Sequence, residues 1–135
     1  PVVKATFVAG TFCHHPLAMA SSLKVLEILR NSKGQILHEL NQTTAALCDR
    51  FQKFFDQNKY PLSVHHFGSL FRFTTPGKSS LLYYQLLLNG VYVWEGRNCF
   101  LSPSHTPDVL ERLEEQLIQS CYALEAQGLL KKSVS

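Results

Sequence analysis

The sequence predicts an α+β fold: a small, mostly antiparallel sheet of about three strands with helices packed on one face. Three observations carry that expectation. Long stretches with apolar residues at three- and four-residue spacing frame the chain. The strand-like runs between them are few and short. The order helix, helix, strand, helix, strand, strand, helix does not alternate in the way that builds a doubly wound parallel sheet. At 135 residues, the chain fits one domain that buries roughly two-thirds of its unfolded surface.

The opening run PVVKATFVAG reads as an extended apolar strand whose partners lie elsewhere, as in an excerpt of a longer protein. A first helix is expected from Pro16 to Asn31, with Pro16 in the first turn, where its missing N–H is not needed. A second spans Ser32 to Lys59. Leu37, Leu40, Leu47, Phe51 and Phe54, with Thr44 filling the gap, form one seam, either a core-packing face or a coiled-coil face. Tyr60-Pro61 ends it. One strand follows from Ser63 to Thr75, then a turn at Thr75-Pro76-Gly77-Lys78. Ser79 or Ser80 is suited to cap a short helix through Leu88, stopped by Asn89-Gly90. Val91-Tyr92-Val93 and Cys99-Phe100-Leu101-Ser102 read as strands around the loop Trp94 to Asn98. Thr106-Pro107-Asp108 supplies a cap, a proline and a first-turn acid for a last helix. Its seam is Leu110, Leu113, Leu117, Cys121 and Leu124, and Gly128 ends it.

Composition narrows the function classes. The net charge of +3 is dispersed, and the densest basic cluster is the pair Lys131-Lys132, so the clustered charge of a nucleic-acid footprint is missing. No apolar run approaches the ~20 residues of a membrane span, and neither nucleic acid nor membrane is an expected partner. Cys13, Cys48, Cys99 and Cys121 are widely spaced. They read as reduced thiols of a cytoplasmic protein, or as two disulfides in a secreted one.

His14-His15 and His65-His66 are adjacent pairs without the spacing of a zinc site, and Cys13 with His15 makes at most a half-site. A Cys-His hydrolase needs residues that meet in space, but no cysteine here opens a helix after a glycine-rich turn. The segment that stands out runs from Val8 to Ala20. An extended stretch reaches Gly10-Thr11, turns, and enters a helix at Pro16. Glycine permits close backbone approach, and a threonine hydroxyl with backbone N–H groups binds an oxyanion such as phosphate. Most such turns are plain connections.

The run GTFCHHPLAMAS resembles the GT-x-x-x-x-PLAMAA run of class III pyridoxal-phosphate (PLP) aminotransferases, close to glutamate-semialdehyde aminomutase. Phe67-Gly68-Ser69-Leu70-Phe71 is similar to the family's glycine-serine strand. Leu88-Asn89-Gly90-Val91-Tyr92-Val93 and Phe100-Leu101-Ser102-Pro103-Ser104-His105-Thr106 resemble its closing blocks, the latter its FLS-x-x-HT. The blocks come in family order over nearly the whole chain. VAGTFCHHPL and YYQLLLNGVYVWEGRNCFLS look most like aminotransferase domains embedded in hybrid polyketide/nonribosomal peptide synthases.

The resemblance implies a fold-type-I enzyme whose small C-terminal domain is this chain, residues 1–15 closing the large-domain portion. It implies amino transfer from an amino-acid donor to a keto group of a carrier-bound acyl chain. A glutamate-semialdehyde-type aminomutase, or a non-catalytic dimerisation domain on the same fold, are the alternatives. The implied cofactor is PLP. The implied partners are an upstream PLP-binding domain, a second subunit and an acyl carrier domain. Gly10 and Thr11 match the turn that reaches the cofactor phosphate of the partner subunit. The lysine that holds the cofactor is expected before Pro1. Lys4 is too close to Thr11 to be it, so no catalytic residue is expected in this segment, which should be inactive alone. The loop Trp94-Glu95-Gly96-Arg97-Asn98 is shorter than in the mutases, and Arg97 falls near their glutamate. Arginine offers a planar fork for the donor's carboxylate, or is simply exposed or salt-bridged.

Overall fold

A computed structural model describes residues 10–132, and the apolar opening run with Lys4 lies outside them. The chain divides into two compact units at Ile36/Leu37.

The first unit holds a turn at Gly10–His15 and helix α1, Pro16–Asn31. The bounds of α1 are those expected, because Pro16 takes the first helical position after an extended His15. Ser32 Oγ donates to Leu29 O at 2.8 Å. Lys33 and Gly34 follow at positive φ, 51° and 86°. No residue of α1 is buried.

The second unit contains the sheet and most of the core. Helix α2 (Gln35–Gln57) is followed by β1 (Ser63–Phe67), β2 (Leu70–Thr74), a 3-10 turn (Gly77–Ser80), α3 (Leu81–Leu88), β3 (Cys99–Phe100) and α4 (Pro107–Ala126). The sheet order is β1-β2-β3, antiparallel throughout. Val64, Phe71 and Phe73 face the core, while His65, Arg72 and Thr74 on the other face are exposed. Thus the helices cover one face. From α2 come Leu47, Phe51 and Phe55, from α3 Leu82, Tyr83 and Leu86, and from α4 Leu110, Leu117, Cys121 and Leu124. Thr44 is fully buried in the α2 seam and donates its hydroxyl to Leu40 O at 2.8 Å, so the polar group costs little there. The seam is therefore core packing, although Leu37 at its start is half exposed.

Several expectations are corrected. The single strand at 63–75 is a hairpin, because Gly68 (φ 59°) and Ser69 turn the chain and pair Phe67 with Leu70. A Cβ on Gly68 would sit 3.3 Å from Asn41 Oδ1. Val91-Tyr92-Val93 is not a strand. The Val91 amide donates to Leu86 O at 2.8 Å and that of Gly90 to Leu87 O at 3.0 Å, a Schellman closure of α3 that commits this backbone. The last strand is only Cys99–Phe100. Neither Ser80 nor Thr106 caps through its side chain; Ser80 is already helical after the 3-10 turn. Gly90 and Gly128 end their helices at positive φ, as expected. All four cysteines are free. Burial pushes the Cys48 thiol up to about 11 and that of Cys121 up to about 12, which makes both poor nucleophiles.

Candidate functional site

Three places in the chain have the chemistry to meet a ligand. The first is the turn before α1. The Cys13 amide donates to Gly10 O at 3.2 Å and that of His15 to Phe12 O at 3.1 Å, two linked turns that run into the helix. A Cβ on Gly10 would come within 2.9 Å of Cys13 Sγ, so the turn closes where only a hydrogen fits easily. Thr11, His14 and His15 are exposed beside it. The sequence holds no carboxylate from Gly10 to Leu26. A hydroxyl donor, a bare glycine and no opposing negative charge suit a phosphate group.

The second is the loop after α3. The Arg97 amide donates to Trp94 O at 3.1 Å across a turn that needs Gly96 at φ 62°. The Arg97 guanidinium carbon stands 4.9 Å from the centroid of the Trp94 ring. Tyr84 O–H donates to Glu95 Oε2 at 2.9 Å and ties the loop to α3; that bond raises the Tyr84 phenol's pKa. A cation held over an aromatic ring in this way still has N–H groups to offer a planar acceptor. Among the described residues Arg97 has no ion-pair partner.

The third is a groove of about 470 Å³ between the residue 90–101 segment and α4. Phe71, Val91, Val93, Leu101 and Val109 make its apolar wall, and Trp94 borders it. Its polar members include Arg112 and His105, and no Asp or Glu lines it. The Ser102 amide donates to His105 Nδ1 at 3.0 Å, so the neutral ring carries its proton on Nε2 and offers a donor there. Arg112 Nη2 lies 3.8 Å from where a Cβ on Gly90 would be. Cys99 also lines the groove, its thiol pKa raised by burial.

Sequence reasoning singles out Gly10, Thr11 and Arg97. Gly10 and Thr11 adjoin in the first unit, and Arg97 belongs to the second. It passes over Arg112, which sits among Glu111, Glu114 and Glu115 and reads as a solvated helix face. It quotes His105 only as part of a block. Neither carries a local signal, since folding alone turns them to one groove. Among the described residues no three His, Cys, Asp or Glu side chains gather to hold a metal ion. No helix among them is long and apolar enough to cross a membrane.

Comparison with known proteins bears on the fold. No family model matches the chain. It is similar to proteins named glutamate-1-semialdehyde 2,1-aminomutase. With that of Ruminiclostridium cellulolyticum it shares 28% identity over 138 aligned positions, 87% of this chain and 32% of that protein. With that of Syntrophomonas wolfei it shares 31% over 121, or 77% and 28%. Among solved structures, a transaminase with PLP bound superposes with a TM-score of 0.77 over 91% of this chain and 31% of that one, at 18% identity. The α+β architecture is thus that of part of a PLP-binding transaminase. The chain spans about a third of the length of the curated relatives it matches.

Proposed function

We propose that this chain is the C-terminal part of a PLP-dependent aminotransferase, which moves an amino group from an amino-acid donor to a keto group of a carrier-bound acyl chain. The observation that carries the reading is a coincidence of two likenesses. The stretch that resembles the named aminomutases in sequence also has the fold of part of a transaminase. The chemistry of the Gly10–His15 turn, described above, suits the cofactor's phosphate.

In this reading PLP supplies the electron sink for amino transfer, and the chain's own residues bind and orient. The Thr11 hydroxyl donates to a phosphate oxygen, and Gly10 lets the backbone approach. The Arg97 fork receives the donor's α-carboxylate, beside the Trp94 ring whose centroid is 4.9 Å from the guanidinium carbon. Lysine would not replace it, since a point charge lacks both the stacking face and the paired donors. The parent is read as a dimeric, cytoplasmic enzyme in which the turn serves the neighbouring subunit's cofactor. The lysine and the large domain lie upstream.

The names of the matched relatives favour a second reading, an internal aminomutase. The shortened loop with Arg97 in the mutases' glutamate region speaks for external transfer. A stopped-flow comparison of Arg97→Ala in the full-length parent decides. The half-reaction with the amino-acid donor should slow by at least about tenfold, as loss of a charge-assisted bidentate contact requires. The half-reaction with a thioester-bound keto acceptor should slow less. Equal losses would give Arg97 a structural role, and no loss would make it a surface residue.

A further inference from the structure

We infer that the groove between the residue 90–101 segment and α4 binds an aliphatic chain with an anionic head, the head on Arg112 and the chain along the apolar wall. The groove has this property whether or not the parent transfers amino groups.

The inference starts from sign. Most charged side chains on α4 are acidic, yet the groove is lined by none of them. Its one formal charge is Arg112, which has no ion-pair partner among the described residues. Arg112 is exposed, so what it offers an anion is its unpaired, planar fork of donors beside the apolar wall. Gly90 is what makes room. At φ 81° it closes α3, and its missing side chain leaves open the space beside Arg112 Nη2. The Nε2–H of His105 adds a second donor, fixed by the Ser102 amide on the other ring nitrogen.

The wall decides the rest of the ligand. Val91, Val93, Leu101, Val109 and Leu113 are aliphatic and offer dispersion contacts without a polar partner. A sugar or a peptide backbone there would lose hydrogen bonds that the wall cannot return. About 470 Å³ lies within the usual range of small-molecule sites. The chemistry therefore selects an amphipathic anion of medium chain length. Its head is a carboxylate or a phosphate monoester, both of which match the guanidinium fork.

Trp94 is the chain's single tryptophan and borders the groove, so its fluorescence reports occupancy. The full chain should be titrated with octanoate, octyl phosphate, octanol and octyltrimethylammonium. Saturable changes are expected for the two anions, and octanol should bind at least about tenfold more weakly. The tighter of the two anions identifies the head group. Arg112→Ala should weaken the anions by about tenfold or more and leave octanol unchanged, and Arg112→Lys should fall between. Arg72→Ala, on the exposed sheet face, should change nothing. If octanol or the cation binds as well as the anions, or Arg112→Ala binds octanoate like the parent chain, the assignment fails. Unsaturable signals with every probe would also overturn it. Should Arg112→Ala lose its circular-dichroism spectrum, the competition between octanoate and octanol on the unmodified chain still decides.

Discussion

Helices α1 and α4 begin alike and end up in different environments. Each opens with an extended residue followed by proline at the first helical position, and neither N-cap side chain makes a capping bond. Yet α4 buries Leu110, Leu117, Ser120, Cys121 and Leu124, whereas α1 buries nothing. The difference lies in pattern. The apolar residues of α4 recur at three- and four-residue spacing and gather on one stripe. Those of α1 are spread around the helix, and six of them (Leu17, Met19, Leu23, Val25, Leu26 and Ile28) are about half exposed or more. Local signals determine where a helix starts, and the stripe determines what it can bury.

The largest expected effect separates the two helices directly. Leu117→Ala removes a fully buried side chain and should cost about 2–5 kcal/mol. Leu23→Ala in α1 should stay within about 0.5 kcal/mol, because that side chain is 61% exposed. Urea unfolding of the two variants measures both. A loss at Leu23 comparable to that at Leu117 would mean that α1 is covered in solution, and the contrast would break.

Next in size is Thr11→Ala in the full-length parent, which sets the turn before α1 against the packed unit. Loss of a hydrogen bond to a charged phosphate should weaken PLP retention by about 1.5–3 kcal/mol, with no change in the unfolding of the second unit. Equilibrium dialysis of the cofactor gives the first quantity and chemical denaturation of the chain the second. Unchanged retention would remove Thr11 from the phosphate site.

How much of this was legible follows the same line. Pro16 and Pro107 mark their helix starts because proline acts through its own ring, without help from the fold. Gly90 and Gly128 mark ends for the same kind of reason. The hairpin at 63–74 was not legible, since Gly68-Ser69 interrupts an alternating run that looks continuous. Val91-Tyr92-Val93 has β-branched residues and looks like a strand. Its backbone, however, is already engaged in closing α3, and β2 is paired instead with the two-residue β3. Arg97 drew notice through the resemblance, but its stacking on Trp94 is a product of the loop's turn. Arg112 was hidden because a cation among acids on a helix is ordinary until the neighbouring segment folds against it.

A smaller effect tests a helix end that composition does not announce. Lys59 closes α2 at φ 55°, and the amides of Lys59 and Tyr60 donate to Asp56 O and Phe55 O. This is the geometry that glycine supplies for α3 and α4, here forced on a residue with a Cβ. Lys59→Gly should therefore stabilise the chain by about 1 kcal/mol, read as a higher denaturant midpoint at unchanged slope. A loss would show that contacts of the lysine side chain outweigh the backbone strain.

The smallest effect concerns the far end of α4, where the packed unit is closed by charge as well as by apolar contact. Tyr60, at the end of α2, donates its phenol O–H to Glu125 Oε2, and Lys132 Nζ lies 2.7 Å from Glu125 Oε1. The hydrogen bonds from Lys132 and then Tyr60 hold the Glu125 carboxyl below its ordinary value of 4.5. A carboxyl with a lowered folded-state pKa releases its proton more readily in the native state than in the unfolded one. Its contribution to stability is therefore complete above about pH 4.5 and fades as pH falls through the lowered native value. Glu125→Gln keeps the shape and removes the charge, so it should flatten this part of the acid limb. The pair is largely solvated, so salt should shrink the difference between the two proteins near neutral pH. Urea midpoints of both from pH 7 to pH 3, at low and high salt, make the comparison. Parallel profiles at every pH would mean that Leu124, Leu129 and Leu130 alone close this end of the core.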